Sequence, residues 1–185
     1  MKLRLFLLSL ALQTAWVIGT TYQQEYALRV GKTVLLEAEL IDPRDLLRGD
    51  YLILKYRINS IPVERFLPTV NANMAEGKNI FVAIALNTNG FYQVARASTN
   101  EFPLLAGEVL LIGKSARGNW ISTNSVQVNY GLERYYVGEG LGNPKGKLTV
   151  QAAVPSSSQP IIKQAFLDGT PYAEAMRKQV EHSDR

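Results

Sequence analysis

The sequence predicts an all-β fold: a single barrel- or sandwich-like domain of about eight to ten short strands, preceded by one N-terminal transmembrane helix and followed by a short C-terminal helix. Three observations lead there. An apolar run opens the chain, strand-period segments fill its middle between Gly, Pro, Asn and Ser clusters, and a capped helical pattern ends it. They divide the 185 residues into a membrane anchor over 1–25, a β domain over 26–168 and a helical tail over 169–185.

The anchor follows from Leu5 to Tyr22, an uncharged run behind Lys2 and Arg4. As a helix rising ~1.5 Å per residue it spans about 27 Å, close to the ~30 Å hydrocarbon core of a bilayer. A secretory signal would have a shorter apolar core and a small-x-small cleavage site, and Gly19-Thr20-Thr21 is a poor one, so an uncleaved anchor is expected. Lys2 and Arg4 then stay in the cytoplasm and the rest is extracytoplasmic, making a single-pass protein of the cell membrane with a periplasmic main domain. Membrane lipid is the partner of this segment. Ser9, Gln13 and Thr14 weaken its apolar character slightly, and Gln13 reads most simply as a tolerated polar residue.

Strand periodicity begins near Tyr26. Lys32 to Leu40 places Val34, Leu36, Ala38 and Leu40 on one face, and Tyr51 to Ile58 places Leu52, Leu54 and Tyr56 opposite Tyr51, Ile53 and Lys55. Asn79 to Leu86 and Phe91 to Ala97 flank Asn87-Thr88-Asn89-Gly90, a hairpin signal because Asn and Gly accept positive φ. Glu108 to Gly113, Trp120 to Tyr130, Arg134 to Val137, Lys147 to Val154 and Pro160 to Phe166 complete the strands. The tail predicts a helix over Pro171 to Val180, with Thr170 as N-cap, Pro171 at its first position and Arg177 and Lys178 late.

Composition narrows the chemistry. Lys2 and Arg4 aside, eighteen of the twenty basic residues face all sixteen acidic ones, so the domain is near neutral despite a pI of about 9.3. No basic stripe with interleaved aromatics is present, and nucleic acid is not an expected partner. Cysteine is absent and His182 is the single histidine, which removes cysteine nucleophiles, histidine bases, thiolate metal sites and disulfides. Neither a metal nor a cofactor is expected.

The most distinctive segment is Asp42-Pro43-Arg44-Asp45-Leu46-Leu47-Arg48-Gly49-Asp50-Tyr51-Leu52-Ile53-Leu54-Lys55-Tyr56. Asp42 and Asp45 bracket Pro43 as caps of a helical turn, and Gly49 turns the chain into a strand. Here the chain resembles the GDYxxLxY-motif family, spelled by Gly49, Asp50, Tyr51, Leu54 and Tyr56. Asp42 to Leu46 and Tyr130-Gly131-Leu132-Glu133-Arg134-Tyr135-Tyr136-Val137-Gly138-Glu139-Gly140 are similar to that family's pattern, and the resemblance extends from the anchor to about Phe166. It implies a bacterial membrane-anchored protein without an assigned activity, often associated with multi-spanning membrane proteins, and it carries over no catalytic residue. The chain departs from the pattern at Tyr136, where the family commonly has Phe, and in the loop lengthened by Gly142-Asn143-Pro144-Lys145.

Asp45, Arg48, Asp50, Glu133, Arg134 and Glu139 form the candidate polar cluster, and Asp50 and Arg134 are expected to share it. Paired carboxylates do acid/base work where their environments separate their pKa values; beside Gly and Arg they more often make caps, turns and ion pairs. Tyr51, Tyr135 and Tyr136 are candidates for stacking on a ligand, against the plainer alternative of half-buried strand tyrosines. Three functions compete. A non-enzymatic module binding a membrane-protein or envelope partner leads. A carbohydrate- or cell-wall-binding or hydrolysing domain using the acids and tyrosines is second, and requires Asp50 and Glu139 across one cleft. A signal-peptidase-like enzyme is weakest, since no serine lies between Glu25 and Asp50.

Overall fold

The computed structural model describes residues 2–42, 51–68, 77–116, 124–138, 144–155 and 159–183. Two β-sheets enclose one core, with a helix at each end of the chain. Helix α1 (Lys2–Val30) is long and apolar enough to cross a bilayer: its most apolar window has a mean hydropathy of 1.4 and no buried residue.

The helix does not stop where the anchor was expected to end. Tyr26 to Val30 continue it, and Ala27 is buried where the last turns pack on the sheet. An exposed Glu25–Arg29 ion pair at 2.8 Å spans one turn. The Gly31 N–H closes the helix on the Ala27 carbonyl at 2.9 Å. A Cβ at Gly31 would stand 2.6 Å from that carbonyl and 3.1 Å from the Ala153 Cβ, so a side chain there would push the helix off the sheet. Strand β1 (Lys32–Asp42) starts at the next residue, leaving no linker between α1 and the β domain.

The remaining strands are β2 (Tyr51–Tyr56), β3 (Ser60–Pro62), β4 (Asn79–Leu86), β5 (Tyr92–Ser98), β6 (Val109–Ser115), β7 (Ser125–Asn129), β8 (Arg134–Tyr136), β9 (Leu148–Val154), β10 (Ile161–Leu167) and β11 (Thr170–Pro171). The six-stranded sheet runs β11-β10-β9-β1-β2-β8 and the five-stranded sheet β3-β7-β6-β4-β5. Alternate residues face inward, as a pleated strand with one buried side requires: Val34, Leu36 and Ala38 from β1, Leu52, Leu54 and Tyr56 from β2, and Leu148, Val150 and Ala152 from β9.

Two local expectations change in detail. The β4–β5 hairpin forms with Leu86 opposite Tyr92, but of its turn only Gly90 takes positive φ (82°); Asn87 shapes the loop instead by accepting the Thr88 N–H on its side chain at 2.6 Å. Thr170 and Pro171 pair with β10 as β11, so the tail helix α2 starts one residue later and spans Tyr172–Ser183. It docks through buried Tyr172 and Met176. Strand β3 was not anticipated.

Candidate functional site

The two motif segments meet where the chain passes between sheets. Strand β2 lies against β8 in one sheet and β3 against β7 in the other. From Tyr51 to Pro62 one chain advances eleven residues, and from Ser125 to Tyr136 the other advances the same eleven, with Tyr51 opposite Tyr136 and Pro62 opposite Ser125. The two antiparallel pairings therefore keep a common register on either side of the bend, which Arg57–Asn59 cross as a 3-10 turn.

Side chains hold that bend reciprocally. The Tyr56 hydroxyl donates to the Leu132 carbonyl, and the Tyr130 hydroxyl to the Ile58 carbonyl, each at 2.8 Å. Three residues after each tyrosine, a side chain accepts that tyrosine's own N–H: Asn59 Oδ1 from Tyr56 and Glu133 Oε1 from Tyr130, both at 2.6 Å. Asn59 Nδ2 also donates to the Val128 carbonyl at 2.6 Å and to Glu133 Oε1 at 3.2 Å, and Glu133 Oε2 takes the Gly131 N–H at 2.8 Å. Gly131 sits at φ 83°, a conformation a side chain would strain. Burial, reinforced by the Glu133 carboxylate, pushes both tyrosine hydroxyls well above their ordinary range, so they serve as neutral donors.

The outer face of the same strands differs. Tyr51 and Ile53 are half-buried and Lys55 exposed, opposite exposed Arg134 and Tyr136 on β8. The Arg134 guanidinium lies 5.7 Å from the Tyr51 ring centroid, and the Tyr51 and Tyr136 rings are 6.1 Å apart, inclined at 55°. A bulge in β1 turns Ile41 outward beside them. An open groove of about 920 Å³ follows, lined by Ile41, Ile53, Lys55, Gln127, Asn129 and Arg134, with Asn59 and Glu133 of the bend at its floor. Two cations, one already hydrogen-bonded carboxylate, several amides and apolar walls suit an extended polypeptide with carbonyl groups to bond.

The structure thus splits the residues singled out from sequence. Tyr51, Tyr136 and Arg134 come together on the outer face. Tyr135 points the other way and packs edge-on against Tyr172 of α2 at 5.7 Å, so it ties the tail helix to the sheet. Glu133 belongs to the bend, where its carboxylate meets three N–H donors and is not free for acid/base work. Asp45, Arg48, Asp50 and Glu139 lie outside the described residues, as does the Pro43 to Gly49 turn. Among the described residues no three His, Cys, Asp or Glu side chains converge as a metal site would require. Asn59 went unremarked, although Tyr56-x-x-Asn59 and Tyr130-x-x-Glu133 share a spacing that pairs a tyrosine N–H with an acceptor three residues on.

No curated protein and no solved structure matches the chain. A family model described as GDYXXLXY protein matches residues 13–163, from inside α1 through both motif segments to β10. The chain belongs to that GDYXXLXY protein family.

Proposed function

We propose that the chain is a membrane-anchored, extracytoplasmic β module that binds a multi-spanning membrane protein or other envelope partner and performs no chemistry itself. The observation that supports this best is the division of the motif strands. Their inner residues are committed to the bend, and their outer residues present an aromatic, cationic and apolar surface beside an open groove. Exposed aromatic and arginine side chains are the groups that anchor protein interfaces. On the positive-inside rule, Lys2 and Arg4 hold the N-terminus in the cytoplasm and put this surface on the far side of the membrane.

The carbohydrate reading depends on the same tyrosines and is less well supported. Rings inclined at 55° offer a sugar no common plane, and the described motif acid, Glu133, is already bonded. A photo-crosslinking residue at Tyr136 or Ile41 of the full chain, in membranes of its own host, tests the proposal. Adducts with one multi-spanning membrane protein are expected at both positions and not at Gln93, which is exposed on β5 of the other sheet. Adducts to glycan alone, or equal protein labelling from Gln93, would overturn it.

A further inference from the structure

We infer that the face of α1 bearing Ser9, Gln13 and Thr20 receives a membrane-spanning helix of the partner protein, one whose chain turns back at the bilayer surface directly beneath the β domain. The inference rests on the partner-binding reading above and adds where, and by what kind of element, the partner is held.

Helical spacing puts Ser9, Gln13, Trp16, Thr20, Gln23 and Ala27 on one face, since steps of four and three residues follow the helix period. At the top of this stripe Ala27 is buried on the sheet. Just below, Thr20, Gln23 and Gln24 face Gln159, Pro160 and Ile161 across an opening of about 370 Å³. The stripe therefore runs down the side of the helix over which the domain hangs. Gln13 lies near the middle of the Leu5 to Tyr22 run. Thr14 and Thr20 satisfy their hydroxyls on their own helix, donating to the Leu10 and Val17 carbonyls at 2.9 Å. Among the described residues nothing meets the Gln13 amide, and in hydrocarbon such a group is stabilised by a bond to a neighbouring helix.

The geometry selects the occupant. A second copy of this chain, parallel and facing the same stripe, would have to continue its own helix to Val30, through the space the first copy's β9 and β10 occupy. Gly31 joins helix to strand without a linker and buried Ala27 packs on the sheet, which holds the domain over this side of the helix. A helix that ends at the membrane surface fits beneath it. Short-looped helices of that kind belong to multi-spanning proteins, and the opening lined by Thr20 and Gln159 lies at the level where such a turn would come.

The test places a photo-crosslinking residue at Ser9, at Trp16 or, on the opposite side of the helix, at Ile18, in the full chain in native membranes. Ser9 and Trp16 should give adducts to a membrane-spanning helix of a multi-spanning protein, mapped by mass spectrometry, and Ile18 lipid only. Gln13→Leu should lower the Ser9 adduct about three- to tenfold, and Gln13→Asn should largely preserve it. Lipid alone or a second copy of this chain at both Ser9 and Trp16, equal labelling from Ile18, or an unchanged Ser9 adduct in Gln13→Leu overturns the inference. Protein adducts at Tyr136 with lipid alone at Ser9 and Trp16 remove this inference and leave the partner-binding reading standing; loss at Tyr136 and on the stripe removes both.

Discussion

Tyr56 and Tyr136 belong to paired strands of one sheet, yet one is 1% exposed and the other 72%. The inner face, built on Tyr56, Tyr130, Asn59 and Glu133, gives each side chain a named hydrogen-bond partner across the bend. On the outer face, Tyr51, Arg134 and Tyr136 are tied by ring contacts and bounded by an open groove. Residue type does not separate the two, because tyrosine serves both. Within β2 and β8 strand alternation does, placing Tyr51 and Tyr136 on the outer face and Tyr56 and Tyr135 on the inner one, whereas the alternation flips at the bend between Leu132 and Arg134.

The contrast breaks most visibly at the inner tyrosines. Tyr56→Ala and Tyr130→Ala should each destabilise the domain by about 3–5 kcal/mol, the usual cost of deleting a buried aromatic ring. Against a total stability of roughly 5–15 kcal/mol, either change should leave a substantial unfolded fraction on mild heating. Circular dichroism melts of the full chain in detergent measure this. A variant that melts with the parent protein would show that the bend does not depend on that ring.

Glu133 is the next step down. Glu133→Ala leaves the Tyr130 and Gly131 N–H groups and one Asn59 N–H without that acceptor, a loss of about 3 kcal/mol if two charge-assisted bonds of ~1.5 kcal/mol each are counted. Glu133→Gln retains one acceptor oxygen and should lose roughly half as much. A normal melt combined with loss of a measured activity would instead mark Glu133 as a chemical group. Removing only the hydroxyls, in Tyr56→Phe or Tyr130→Phe, should cost about 1–2 kcal/mol each, because a buried carbonyl loses its donor. The double variant should depart from additivity, since one bond ends beside Glu133 and the other beside Asn59, and those two side chains are hydrogen-bonded to each other.

Much of the fold was legible because its signals are local. Period-two burial fixed the faces of β1, β2 and β9, and Asn87 to Gly90 marked its hairpin. Strand partners were not legible: β1 lies between β2 and β9, and nothing near Lys32 or Val154 encodes that they pair. Strand β3 is three residues long and ends in proline, too short for any period. Tyr26 to Val30 read as the start of a strand domain and are helical because Ala27 has a sheet to pack on, a tertiary effect. In the site, the paired Tyr-x-x-Asn and Tyr-x-x-Glu spacing was present in the sequence. Its meaning required knowing that the two segments face each other.

A smaller effect, away from both faces, calibrates these melts against pH. The Arg96 guanidinium holds the Glu108 carboxyl below its ordinary value of 4.5, first through their hydrogen bond, at 2.7 Å, with the Leu105 N–H assisting. A depressed folded-state pKa gives stability that is fully present above the unfolded value and lost as pH falls through the folded one. The melting temperature should therefore decline below about pH 4.5, and Glu108→Gln should reduce that slope. The gain is modest because Arg96 remains partly in solvent.

The smallest expected change in stability is the most informative about function. Tyr136→Ala removes a ring that is largely in water and touches the Tyr51 ring at its side. Surface substitutions of that kind stay within about 0.5 kcal/mol, so the melt should coincide with that of the parent chain. If the outer face is a docking surface, the same substitution should sharply reduce the adduct formed from a crosslinker at Ile41, which borders the groove. An aromatic anchor at an interface typically contributes about 2 kcal/mol or more, a loss of at least tenfold in affinity. Tyr136→Phe should restore the adduct, because the ring carries the contact. A Tyr136→Ala chain that melts normally and still crosslinks at full yield would show that the outer face is merely solvated, and would move the partner's footprint to α1.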